Sequence, residues 1–377
     1  MKKTDVAKKA LALHKKLAGK IRIVPAAPIR NREELSLVYT PGVAAVSSYV
    51  AKNPKEAKYY TMKGRMVAVI SDGSAVLGLG NIGALGALPV MEGKAAIFKT
   101  FADIDTVPIV LSTQDPDEIV RTVIAIAPAF GGINLEDIAA PKCFEIERRL
   151  IEALDIPVMH DDQHGTAIVV LAGLINSLKV VNKKLDTARF VILGAGAAGT
   201  ATAKLLHVAG ARNIVVLDSK GIVDKNRPEE HKRKLATFNA EGISGGLKEA
   251  LKGADALLGV SGPNLVTADD IRLMNKDAIV FAMANPIPEI MPEEAKKGGA
   301  LIVGTGRSDY PNQINNSLAF PGVFRGALDH NVTKITYEVK LKAARAIAAL
   351  IKKPTPDYVI PDMFDKRAPI AVAKAVR

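Results

Sequence analysis

Apolar runs of five or six residues alternate with longer amphipathic stretches along most of this chain. From residue 66, MVAVIS reads as a buried strand and GALPVMEGKAAIFKTFA as a helix. VPIVLS then predicts a strand, DPDEIVRTVIAIAPAF a helix, INLEDI a strand, CFEIERRLIEAL a helix and IPVMH a strand. TAIVVLAGLINSLKVV predicts a long apolar helix. RFVILGAG, NIVVLD, DALLGVSG, AIVFAMANP and ALIVGTG continue the series as strands, with AGTATAKLLHVAG a helix that ends at Gly210. Short β-branched strands without internal polar residues, separated by helices, indicate parallel sheets covered on both faces. The expected fold is α/β with two doubly wound parallel-sheet domains. Their boundary is placed at the start of the long apolar helix, giving units 1–165 and 166–377. Ahead of the first strand stand an amphipathic helix and a Pro-punctuated stretch, PAAPIRNREELSLVYTPGV. The last segment, 331–377, mixes helix and Pro-rich turns and can dock on either unit.

Composition narrows this picture little. The 377 residues fit two domains at roughly 100–200 residues each. No run reaches the roughly 18 apolar residues of a membrane-spanning helix, and the Lys-rich start lacks the apolar core of a signal peptide. The one cysteine, Cys143, excludes an intramolecular disulfide, fits a reducing cytoplasm, and sits where a buried helix position is expected. A net charge of +12 raises the question of nucleic acid, but aromatic residues are 5% of the chain and Trp is absent. Basic residues interleaved with aromatics are what nucleic-acid grooves use. The Lys232-Arg233-Lys234 cluster therefore reads as solvated surface, and the overall field as an attraction for a small anionic substrate.

Two stretches match G-x-G-x-x-G. Gly194-Ala195-Gly196-Ala197-Ala198-Gly199 follows a predicted strand directly, opens a helix, and precedes a strand ending in Asp218, about 20 residues on. That context is the Rossmann dinucleotide fingerprint: Gly194 for the tight turn, Gly196 for approach of a pyrophosphate, Gly199 for close helix packing, and Asp218 for the ribose hydroxyls. A Gly-rich turn without ligand is the plainer alternative. NAD and NADP both stay open, because Ser219-Lys220-Gly221 offers Lys220 to a 2′-phosphate. The second match, Gly78 to Gly83, fails the context test. A loop separates it from its strand, and the acids that follow, Asp103 and Asp105, fall at the start of the next strand. It reads as tight backbone near an active site.

Glu136-Asp137 ends one predicted strand, and Asp161-Asp162 ends the next. One strand–helix–strand crossover makes these strands parallel and, by expectation, adjacent. Neighbouring strands lie about 4.8 Å apart, so four carboxylates converge at the carboxyl edge of one sheet, where open α/β sheets place ligands. Such charge calls for a counter-charge, and oxygen donors suit Mg or Mn. Separately, Asp162 reads equally well as a helix N-cap, and Glu136-Asp137 as solvated loop. His160 and His164 are left to supporting or structural roles. Lys94, inside ALPVMEGKAAIF, either snorkels to solvent or, if buried beside a metal, has a lowered pKa and acts as a base. Tyr39 sits in a turn. Asn285 follows a strand and faces the same carboxyl edge, and Asn315 or Asn316 could hold a carboxylate.

LSLVYTPGVA, SDGSAVLGLGNIG, ALPVMEGKAAIFK, INLEDIAAPKCFEIE, HDDQHGTA, GAGAAG, ANPIPEI and GRSDYPNQINNSLAFPGV occur in this order. Together they closely resemble the small-subunit malic enzymes, from about residue 10 onward, with no room for the phosphotransacetylase-like domain some relatives carry. The resemblance implies oxidation and decarboxylation of malate to pyruvate by NAD or NADP with Mg or Mn, in a homodimer. Carried over by position, it implies Glu136, Asp137 and Asp162 as metal ligands, Lys94 as general base, Tyr39 as general acid, Asp161 as support for Lys94 or the metal, and Asn285 and Asn316 as substrate binders. The N-terminal arm could bring Tyr39 to the partner's site. The rival readings are a malolactic enzyme, another decarboxylating hydroxy-acid dehydrogenase, and a non-catalytic nucleotide sensor. One departure stands out: larger malic enzymes carry a substrate-binding arginine before the GLG motif, where this chain has Ala75.

Overall fold

The computed structural model describes residues 3–76 and 78–377. Leu77, within the SDGSAVLGLG stretch, lies outside them, as do the first two residues. Two sheets organise the molecule. The first comprises β1 (Met66–Ser71), β2 (Asp105–Val110), β3 (Gly132–Leu135) and β4 (Val158–His160), all parallel, in the order β2-β1-β3-β4. The second comprises β5 (Arg189–Leu193), β6 (Asn213–Asp218), β7 (Gly221–Ile222), β8 (Ala256–Gly259), β9 (Ala278–Ala282) and β10 (Ala300–Thr305). Its order is β10-β9-β8-β5-β6-β7, parallel except for β7. At two residues, β7 is too short to carry a periodic signal.

Alternate residues of each strand enter different cores, so both faces of each sheet are covered. In β1, Val67 and Val69 join the large central core, while Met66, Ala68 and Ile70 join another. In β5, Phe190 and Ile192 face that same central core, while Val191 and Leu193 face a third. The central core thus runs unbroken from one sheet to the other through the helix Asp161–Val180, most of whose residues are buried. The C-terminal segment docks on both sides of this joint. Helix Tyr337–Ala348 packs on Asp161–Val180 and Ala197–Ala209, whereas Phe320–Asp329 packs on Gly83–Ala102 and Arg367–Ala375 on Phe320–Asp329.

The helix after β4 begins at Asp161, five residues before the predicted start. Asp161-Asp162-Gln163-His164-Gly165 reads as a polar loop, yet these residues form its first turn, where carboxylates meet the positive end of the helix dipole. His160 is the N-cap residue, so the N-cap role weighed for Asp162 is not the observed one.

The N-terminal arm contrasts with all of this. From Val6 to Arg65 no residue is buried. Leu11, Ile23, Val24, Leu37 and Tyr59 are all exposed. Lys20 ties the arm to the body, its N–H donating to Glu92 Oε2 at 3.1 Å and its Nζ to the Pro89 carbonyl at 2.5 Å.

Candidate active site

Parallel pairing sets Leu135 beside His160, so β3 and β4 end side by side. The residues leaving those ends are Glu136-Asp137 and Asp161-Asp162. Carboxylate oxygens of Glu136, Asp137 and Asp162 lie within 4.8 Å of one another. Each member is oriented by a specific contact. Asn134 Nδ2 donates to Glu136 Oε2 at 3.0 Å. Asp162 Oδ2 accepts from the Asp137 N–H at 2.8 Å. Asp137 holds a left-handed backbone at φ 54°, a conformation that costs an L-residue about 1 kcal/mol and clusters at functional sites. The SDGS loop backs this turn: Ala75 N–H donates to the Asp137 carbonyl at 3.0 Å, and Ala139 N–H to Ser74 Oγ at 2.9 Å.

Lys94 reaches this cluster from the Gly83–Ala102 helix and does not snorkel. Its ammonium is buried, 2.6 Å from Asp161 Oδ2, 2.8 Å from Glu136 Oε1, and 4.3 Å above the Phe320 ring. Burial alone depresses a lysine, but here Asp161, Glu136 and Asp162 outweigh it and hold Lys94 well above its usual value. Three carboxylates, those of Asp161, Glu136 and Asp162, thus act on one buried ammonium. The same excess acts on the acids. Burial, opposed by Lys94, pushes Glu136 and Asp161 up to about 7 and Asp162 up to about 6. A doubly charged cation would relieve this excess, and an all-oxygen donor set suits a hard ion such as Mg or Mn. The fit rests on the donors present.

Asn316 lies beside Asp161 and acts to lower its carboxyl against the upward push of burial. Asn315 turns away to cap the short helix Asn316–Leu318, accepting from Ser317 N–H at 2.9 Å. A Cβ at Gly165 would fall 1.8 Å from Asp161 Oδ1, so only glycine lets Asp161 point at Lys94. Asn285 follows β9 and lies against Gly78 and Gly306. A Cβ on Gly78 would meet the Asn285 carbonyl at 2.5 Å, and one on Gly306 would meet Asn285 Nδ2 at 2.6 Å. The GLGNIG loop is thus tight backbone pressed against the end of β9, with Asp105 at the opposite end of the first sheet. Tyr39 is not gathered in: it follows the helix Arg32–Val38, which buries nothing, and is 66% exposed.

Behind the acids lies a residue the sequence did not single out. Glu147 is buried and accepts from the His160 N–H at 2.8 Å, from Gln163 Nε2 at 3.1 Å and shares a hydrogen bond with His164 Nε2 at 2.9 Å. Burial alone would raise its pKa, but His164 and Lys340 hold it down at about 2. Glu147 thereby pins the turn that presents Asp161 and Asp162. In KCFEIERRL it looks like one more helix-surface charge. Both His160 ring nitrogens are buried without a hydrogen-bond partner, and burial lowers its pKa to about 4. Cys143 is buried, as expected, and its thiol is pushed up by burial.

In the second sheet, Gly194-Ala195-Gly196-Ala197-Ala198-Gly199 forms the turn between β5 and helix Ala197–Ala209. A Cβ at Gly199 would strike the Gly194 carbonyl at 1.8 Å, whereas one at Gly196 would meet nothing within 4 Å. The turn is closed on the helix side and open where a phosphate would lie. Asp218 ends β6, followed by exposed Ser219 and Lys220. Lys232 does not belong to solvated surface: its Nζ is 3.0 Å from Asp218 Oδ2.

The sheet order and this turn define a dinucleotide-dependent enzyme of the α/β class. The model of the malic enzyme N-terminal domain matches residues 18–151, and that of the malic enzyme NAD-binding domain matches residues 163–377. The chain belongs to the malic enzyme family. It is 54% identical to the bifunctional malic/malolactic enzyme of Bacillus subtilis, over 97% of this chain and 91% of that protein. It is 50% identical to the NAD-dependent malic enzyme of Geobacillus stearothermophilus, over 100% and 79% respectively. Its fold matches the crystal structure of the NAD-dependent malic enzyme of Thermotoga maritima with a TM-score of 0.95 at 49% identity, covering 97% of this chain and 98% of that one.

Proposed function

We propose that this protein oxidises and decarboxylates malate to pyruvate and carbon dioxide, reducing NAD or NADP, with a divalent cation held by Glu136, Asp137 and Asp162. The observation that carries this reading is the set of three carboxylates within 4.8 Å beside a buried Lys94, in a chain of the malic enzyme family. The bound cation would supply electrophilic pull on the substrate hydroxyl and carboxylate, and the nicotinamide would accept the hydride. The chain's own residues do the rest. In its neutral form Lys94 Nζ would take the hydroxyl proton, and Asp161, 2.6 Å away, orients it. Asn285 and Asn316 bind substrate carboxylate by amide donation, in place of the charge that Ala75 cannot offer. Tyr39 protonates the carbon from which carbon dioxide has left.

Tyr39's exposure and an arm with no buried residue support a homodimer in which this arm covers a second copy and brings Tyr39 to the partner's site. The unit 1–165 then carries the chemistry and 166–377 the nucleotide. Among the described residues no helix is long and apolar enough to cross a membrane. The single unpaired cysteine supports a cytoplasmic location. The name of the Bacillus relative favours a second reading, malolactic turnover without net release of reduced nucleotide. Incubation with malate, Mn and each nucleotide separates the two. Pyruvate with stoichiometric NAD(P)H supports the first, and lactate without NAD(P)H overturns it.

A further inference from the structure

The residue that reads the adenosine ribose is not free. Asp218 Oδ1 accepts from the Lys220 N–H at 2.8 Å and lies 3.0 Å from Arg227 Nη2. Asp218 Oδ2 accepts from Arg227 Nη1 at 3.1 Å and lies 3.0 Å from Lys232 Nζ. Arg227 is built in rather than draped over the surface. It is 8% exposed, its Nη2 also donates to the Gly221 and Ile222 carbonyls at 3.3 Å, and Arg233 donates to its own carbonyl at 2.9 Å. Glu229, 2.8 Å from Lys232, is the second acid here. Arg227 and Lys232 therefore face Asp218, and Lys232 and Lys220 lie near Glu229, so three cations stand against two acids at the tip of β6.

A free acid at this position favours NAD in two ways: it accepts the ribose hydroxyls, and it repels a 2′-phosphate. Here a forked guanidinium and an ammonium cancel its charge, and charge-assisted bonds of this kind are strong. The repulsion is removed, while the exposed turn Ser219-Lys220 keeps a hydroxyl and a cation for a phosphate dianion. We infer that this chain takes NADP at least as readily as NAD, with Ser219, Lys220 and Lys232 as the 2′-phosphate subsite and Arg227 as the positioning residue that neutralises Asp218. The inference rests on the nucleotide-binding reading above and names the form of nucleotide that site accepts.

Calorimetry with adenosine 2′,5′-bisphosphate and with AMP tests this without turnover. The bisphosphate is expected to bind about tenfold or more tighter than AMP, and Lys232→Ala and Lys220→Ala each to erase most of that gap. In kinetics, the NADP-to-NAD ratio of kcat/KM falls about tenfold in Lys232→Ala. Arg227→Lys, which keeps the charge but loses the fork, lowers the same ratio. Equal binding of the two probes by the wild type, or an unmoved ratio in Lys232→Ala, overturns the inference. Malate turnover with NAD alone sinks this inference and leaves the proposed reaction standing. Tight bisphosphate binding without malate turnover does the reverse.

Discussion

The acidic centre and the N-terminal arm are built on opposite terms. Around residues 134–165 the acids are held by specific contacts: Asn134 holds Glu136, Asp137 holds Asp162, Lys94 spans Asp161 and Glu136, and Glu147 fixes the turn from behind, while Asn134 Oδ1, Asp161 Oδ1 and the His160 ring stay without a hydrogen-bond partner among the described residues. Burial of these acids, opposed by Lys94, surfaces as raised carboxylate pKa values. The arm from Val6 to Arg65 buries nothing, yet it carries Tyr39 and a series of exposed apolar residues. The acids and the lysine of the first region come from one chain. The second leaves its apolar residues and Tyr39 exposed on that chain. Four substitutions and one titration test that division, in falling order of expected effect.

Lys94→Ala should lower kcat by about 10²–10⁴-fold if Lys94 moves the proton. A change confined to KM would reassign it to substrate binding. Tyr39→Phe should cost about 10²-fold in turnover and leave cation affinity unchanged. Mixing Tyr39→Phe with Lys94→Ala protein then decides where Tyr39 acts. Across the dimer, each mixed pair contains one site with both residues intact, and activity returns on mixing. Within one chain, it does not.

Glu147→Ala should lower unfolding free energy by about 3–5 kcal/mol, as expected when a buried carboxylate network is broken. Urea titration measures it, and a loss under about 1 kcal/mol would show that the turn carrying Asp161 and Asp162 stands without Glu147. The pH effect is smaller and runs against habit. Glu136, Asp161 and Asp162 titrate higher folded than unfolded, near 6 to 7. Between their unfolded and folded values these three groups bind more protons in the folded chain, so their contribution to metal-free stability falls as pH rises from about 4 to about 7, opposed by His160 and His164, whose lowered values add stability over the same rise. Mn should reverse that fall and should bind more tightly with rising pH as it displaces those protons. Thermal melts across this range, with Mn and with chelator, check the sign. Metal-free stability that rises with pH would contradict it.

Regular elements were plain in the sequence wherever one period dominated. NIVVLD and MVAVIS coincide with β6 and β1 residue for residue, because continuous β-branched runs have no competing reading. The acid pairs were legible for a topological reason: one crossover makes adjacent strand ends. The start of helix Asp161–Val180 was hidden, because its first turn is written in polar residues that serve the site rather than the helix. Arg227, Lys232 and Glu147 were hidden too. Each is an ordinary surface letter in sequence, and only folding shows that it faces an acid or a buried turn. Tyr39 shows the reverse limit, since its exposure on this chain gives the role proposed for it no support from packing.

The most direct test of the account is Mn binding and malate-dependent NAD(P)H formation measured side by side in the wild type and in Asp162→Ala. The account predicts that the variant loses Mn binding and Mn-dependent turnover while still binding nucleotide. Full Mn-dependent turnover in Asp162→Ala would contradict it.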